Sequence, residues 1–127
     1  MTPQAILDYA LTKNGAYLDF PFGIDYPVIK VKAPEQKAGR IFVQLFELKG
    51  EPRVTFNCTF ENGLLYRELY AGKVVRGWHC PPIIQPYMNT AAIDGSVPDG
   101  VLLRMCDESY SYVLTRMPRV MRQQLQK

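Results

Sequence analysis

This 127-residue chain holds one histidine, one tryptophan and three cysteines. A lone histidine cannot found a zinc centre, which needs three or four protein ligands, and Cys58, Cys80 and Cys106 lie 22 and 26 residues apart. That spacing contains no C-x-x-C pair, and an odd number of thiols leaves no complete disulfide set. Reduced thiols in a cytoplasmic protein are therefore expected, with no metal and no cofactor. Phosphate-binding and nucleophile-elbow motifs are also missing: no P-loop, no G-x-G-x-x-G, no G-x-S-x-G. Long apolar runs are absent too. Asp8 interrupts the one that begins in MTPQAILDYALTK, and that stretch has no charged leader, so neither a signal peptide nor a membrane span is expected.

One more lack is local. The last twelve residues contain no acid but carry Arg116, Arg119, Arg122 and Lys127. With these four removed, the first 115 residues hold eleven basic and twelve acidic side chains, so the net charge of +3 belongs to the C-terminal end. A duplex-binding protein is expected to present a strongly basic face, and this body is near neutral.

What is present suffices for a single domain over residues 1–127. At 47% hydrophobic the chain can build a core without staples, burying about 65–70% of its unfolded surface. Thr2-Pro3 reads as N-cap and first helical residue, and Asn14-Gly15 as a left-handed stop. The aromatic stretch AYLDFPFGIDYP is punctuated by Pro21, Gly23 and Pro27 and reads as a rigid loop. Period-two alternation then predicts strands at 27–32, 40–47 and 53–58. LKGEP is short enough for a hairpin. Thr59 caps a helix running to about Tyr70, in which Leu65 pairs with Leu69 and Tyr66 with Tyr70; Asn62-Gly63 sits uneasily in its first turns. Residues 73–79 and 87–93 are two further strands. Ser96 and Asp99 have capping-box spacing, and Leu102, Cys106, Ser109 or Tyr110, Val113 and Met117 form the buried stripe of a long helix. Pro118 ends it and starts a short last one. The pattern is a two-layer α+β domain.

DFPFGIDYPVIKVK, the run N-T-x-x-x-D-G-S-x-P-D at 89–99, and Met117-Pro118 resemble the MmcQ/YjbR family over essentially the whole chain. Pro21, Phe22, Gly23, Asn89, Thr90, Asp94, Gly95, Ser96, Pro98 and Asp99 carry that resemblance as structural motif residues. It implies a five-stranded antiparallel sheet ordered 1-2-5-4-3 with helices on one face. The fold is similar to secretion chaperones and to the double-wing DNA-binding domain of a phage transcription factor. The resemblance also implies DNA binding, a label that rests on fold similarity. Members carry a lysine and a second histidine where this chain has Cys80-Pro81-Pro82 and Tyr87-Met88, so roles needing those groups do not transfer.

The segment GWHCPPIIQPYM concentrates varied chemistry. On a strand, adjacent His79 and Cys80 point to opposite faces and cannot form a nucleophile–base pair. Pro81, Pro82 and Pro86 remove donors and set φ, which predicts a stiff arm over 80–86 that packs on the body through Ile83, Ile84 and Tyr87. Asp94-Gly95-Ser96 reads as a turn with Gly95 at positive φ, and Asp19 and Asp25 as turn stabilisers around PFG. If Ile29, Val31, Ile41, Val43, Leu45, Val54 and Phe56 face the helices, the opposite face shows Lys30, Arg40, Phe42, Gln44, Phe46, Arg53 and Thr55. Basic residues interleaved with aromatics suit stacking and phosphate contacts. The candidate binding residues are therefore Lys30, Arg40, Phe42, Phe46, Arg53, Arg76 and Trp78, with Arg116, Arg119 and Arg122 at the tail. A non-enzymatic binding domain is expected, with nucleic acid, protein (including self-association) and a small ligand as open partners.

Overall fold

The structure, a computed structural model, describes residues 1–78 and 80–126. Its elements run α1 (Pro3–Leu11), β1 (Ala16–Asp19), β2 (Val28–Val31), β3 (Arg40–Leu48), β4 (Glu51–Asn57) and α2 (Phe60–Leu69). β5 (Val74–Arg76), a 3-10 turn at Gln85–Tyr87, β6 (Met88–Ala92), α3 (Asp99–Thr115) and α4 (Arg119–Leu125) complete the chain. Six antiparallel strands form one open sheet ordered β1-β2-β3-β4-β6-β5. Among the described residues no helix is long and apolar enough to cross a membrane.

Two topological expectations are corrected. The stretch taken as an aromatic loop begins with an edge strand, β1, which pairs Tyr17 with Lys30. Four residues are too few to show a period, so the sequence pattern could not separate this strand from the loop behind it. The order 1-2-5-4-3 is also wrong. Counted over the five expected strands the order is 1-2-3-5-4, because Lys49 and Gly50 form a two-residue turn with φ of 53° and 79°. A turn of that kind joins only nearest neighbours, so β3 and β4 must lie side by side. β6 then inserts between β4 and β5, and its last four residues are buried.

α1 and α3 pack on the centre of the sheet, α2 on the β5–β6 end. The core joins Ile6, Ala10, Leu102, Cys106 and Val113 from the helices to Ile29, Val43, Val54 and Phe56 from the strands. Thr2 caps α1 by accepting from the Ala5 amide at 3.1 Å, and Thr59 caps α2 by accepting from Asn62 at 3.1 Å. The capping box at α3 does not form. Pro98 occupies the cap position without a side-chain bond, and Ser96 donates its hydroxyl to Asp94 instead. In α2 the buried residues are Gly63 and Tyr66, and the Leu65/Leu69 pair is exposed. Gly63 is there because the helix comes close to its neighbours. A Cβ would meet Cys58 Sγ at 2.8 Å and the Pro86 carbonyl at 3.1 Å.

Candidate functional site

The geometry of the site begins with a bulge in β3. Ile29 pairs with Val43 and Lys30 with Ile41, so Phe42 is skipped. In such a two-against-one arrangement Phe42 and Val43 turn the same way, and both are buried. Phe42 is only 1% exposed and meets Tyr110 of α3 edge-on, with ring centroids 5.3 Å apart. Its assignment to an open binding face is therefore wrong: the bulge breaks the period-two count that placed it there. Ser109 repairs the interrupted ladder. Its hydroxyl donates to the Phe42 carbonyl at 2.6 Å and accepts from the Asn57 amide at 2.8 Å. The Asn57 side chain donates to the Ile41 carbonyl at 2.8 Å. A serine in a buried helical stripe is thus a ladder partner supplied from outside the sheet.

The face turned away from the helices is not open either. Val28, Thr55, Thr90 and Ala92 on it are buried. Thr55 and Thr90 share a hydroxyl–hydroxyl bond of 2.7 Å, and the Trp78 amide donates to Thr90 Oγ1 at 2.9 Å, holding the tryptophan over the sheet. From the other side comes the loop after β1. The Asp19 carboxylate accepts from the Phe20 amide, Gly23 donates to the Phe20 carbonyl, and Tyr26 donates to that of Gly23. Gly23 has φ of 111°, a conformation open to glycine, and this coils the PFG motif so that Phe22 and Tyr26 overhang the sheet. Together Phe22, Tyr26, Val28, Gln44, Phe46 and Trp78 line a cleft of about 380 Å³ with no charged residue among the described lining. The motif residues Phe22, Gly23 and Thr90, read from the sequence as structural, build this cleft. Tyr26 was missed, although the aromatic density of 17–26 was the available signal.

The cations gather elsewhere. Lys30, Arg40 and Arg116 converge from β2, β3 and the C-cap of α3 on a groove of about 430 Å³, with Ile41, Asn57, Tyr112 and Val113. Arg116 lies over the Tyr112 ring at 5.9 Å, and Lys30 reaches Asp19 at 2.8 Å. The Lys30 ammonium, and then the Phe20 amide, hold the Asp19 carboxyl below its ordinary value. The remaining cations do not join. Arg53 is tied to Glu51 at 3.2 Å and to the Pro52 carbonyl at 3.0 Å. Arg76 lines a shallow groove with Trp78, Cys80, Pro81 and Gln85, and Arg119 and Arg122 lie on α4.

The other candidates are structural. Asn89 is fully buried, accepting from Arg67 at 2.7 Å and donating to the Gly63 carbonyl at 3.2 Å. Asp94 accepts from the Ser96 amide at 3.0 Å, and Gly95 has φ of 87°. Asp99 stands in the first turn of α3, where a carboxylate complements the helix dipole. Burial pushes the Cys58 thiol up to about 11 and the Cys106 thiol up to about 12, and raises Cys80 as well. None is a ready nucleophile at neutral pH. Among the described residues no group of three His, Cys, Asp or Glu is placed to hold a metal ion. His79 lies outside the described residues. The arm packs only in part as expected: Ile83 is 83% exposed and Ile84 is exposed, while Tyr87, also exposed on one side, meets the Phe60 ring with centroids 6.3 Å apart.

The YjbR family model matches residues 11–112. Among solved structures, a Deinococcus radiodurans protein with a DUF419 domain superposes with a TM-score of 0.85 at 20% identity, covering 98% of this chain and 88% of that one. A Pseudomonas syringae protein superposes with a TM-score of 0.72 at 14% identity, covering 89% of this chain and 99% of that one. At these identities the likeness is one of fold. No curated protein matches the chain.

Proposed function

The chain belongs to the YjbR family, and from that premise we propose that it is a non-enzymatic binding domain whose basic groove takes nucleic-acid phosphates. The observation that carries this reading is the convergence of Lys30, Arg40 and Arg116, far apart in sequence, on one groove, where Lys30 is also paired with Asp19 at 2.8 Å. Tyr112 beside them, with Arg116 5.9 Å from its ring centroid, gives the groove an aromatic wall, and base–aromatic stacking contributes about 1–3 kcal/mol per base in single-strand binders. The near-neutral body restricts the contact to a few phosphates. Three on a single strand give a log–log salt slope of about −2, far shallower than for a dedicated duplex binder. Titration of a single-stranded DNA oligonucleotide at several salt concentrations tests this. Binding that is unaffected by Arg40→Ala and Arg116→Ala together would remove the groove from the reading.

A second reading rests on the aromatic cleft. Phe22 and Tyr26 are exposed beside Phe46 and Trp78 on a surface without charge, which suits an apolar partner group from a protein or a small molecule. It competes with the first reading only for the name of the ligand, since the two surfaces share no lining residue.

A further inference from the structure

We propose that the chain pairs with a second copy of itself by exchange of its proline arm, Pro81, Pro82 and Ile83 of one copy entering the Phe22/Tyr26/Phe46/Trp78 cleft of the other. The inference does not rest on the nucleic-acid reading and concerns a different surface.

The arm is built to protrude. Pro81 and Pro82 are exposed, and Ile83 at 83% is more exposed than any other large hydrophobic residue described. Yet its backbone is organised. The amides of Ile84 and Gln85 both donate to the Pro81 carbonyl, at 3.0 and 3.1 Å, and the Gln85 side chain donates to the Cys80 carbonyl at 3.0 Å. Its far end is held close against α2 at Gly63. A segment ordered before it docks loses little conformational entropy on binding.

Charge identifies the occupant. The segment from Cys80 to Met88 contains no Asp, Glu, Lys or Arg, and neither does the lining of the cleft. A nucleic acid brings phosphates to any surface it meets, and the described lining of this cleft carries no Lys or Arg to neutralise them; an uncharged proline–isoleucine tip leaves no buried charge unpaired. Position then favours a copy of the same chain. Trp78 lines both the cleft and the groove beneath the arm, so donor and acceptor are neighbours on one subunit. A two-fold axis near Trp78 would place each arm against the other subunit's cleft, giving a closed, self-complementary interface. It would also cover Phe22, Ile24 and Tyr26, three exposed apolar side chains of one loop.

Sedimentation velocity over a range of protein concentrations, read together with tryptophan emission, tests the proposal, since Trp78 is the one tryptophan in the chain. The expected result is a dimer that dissociates on dilution with a red shift of emission. Ile83→Asp and, on the acceptor side, Tyr26→Ala should each give a monomer with an unchanged circular dichroism spectrum. A monomer at every concentration would overturn the proposal, as would a dimer that survives Ile83→Asp. A monomer whose emission moves to the blue only with an added proline-rich peptide would assign the cleft to a different protein and equally end it. Oligonucleotide binding is expected to be the same for wild type and Ile83→Asp, which keeps this result separate from the groove's.

Discussion

Lys30, Arg40 and Arg116 reach the basic groove from regular elements, whereas Phe22, Tyr26 and Trp78 reach the aromatic cleft from loops. The groove is set by packing beneath it: the β3 bulge, the Ser109 hydroxyl that completes it, and the C-cap of α3 fix where its cations begin. The cleft is set by local turns and by a pair of threonine hydroxyls. Damage to the core should therefore be felt first in the groove, and damage to the arm or the PFG turn only in the cleft. Each surface can be broken without the other.

The largest effect expected is that of Phe42→Ala. Removing a fully buried ring that packs on Tyr110 should cost about 3–5 kcal/mol of stability in urea unfolding. A near-neutral result would return Phe42 to a surface and undo the bulge argument. Ser109→Ala should cost about 1–3 kcal/mol, because it leaves the buried Phe42 carbonyl without its donor. Unchanged stability would mean that the ladder closes without it.

Smaller and more selective is the double change Arg40→Ala with Arg116→Ala. Losing two of three phosphate contacts should flatten the salt slope from about −2 to about −0.7, while the sedimentation profile stays that of the wild type. A loss of self-association in this variant would join the two surfaces that the structure separates.

The smallest effect concerns pH. Hydrogen bonds from Ser96, then Lys73, lower the Asp94 carboxyl well below its ordinary value of 3.8 in the folded chain. Its contribution is thus fully present above that value and is lost as the pH falls below it through the folded value. Asp94→Asn should slightly lower stability at neutral pH, where that contribution is fully present, and the two proteins should converge as the pH falls through the acid range. An identical acid limb in the two proteins would show that the turn titrates without consequence.

The strands at 40–47 and 53–58, the caps at Thr2 and Thr59 and the turn at Asp94-Gly95 were legible because each is a rule about neighbours in sequence. Phe42 was misread because one extra residue in β3 breaks the count there: Val43 to Phe46 keep the expected faces, while Phe42 turns in beside Val43 and Ile41 pairs with Lys30. Nothing in RIFVQLFE marks the extra residue. Its signal lies 67 positions away, in a serine where the helical stripe called for an apolar residue. The cleft was half legible, since the loop's aromatics stood out but the side of the sheet they would overhang did not.

By itself the sequence determined the class of fold, the charged tail and the family, all written in local composition and spacing. Tertiary structure alone decided the strand order, the burial of Phe42 and the meeting of Lys30, Arg40 and Arg116. Those outcomes depend on which strands are neighbours and on which donor satisfies an interrupted ladder. Both are settled by contacts between segments distant in the chain, because a buried carbonyl must find a partner wherever the fold provides one.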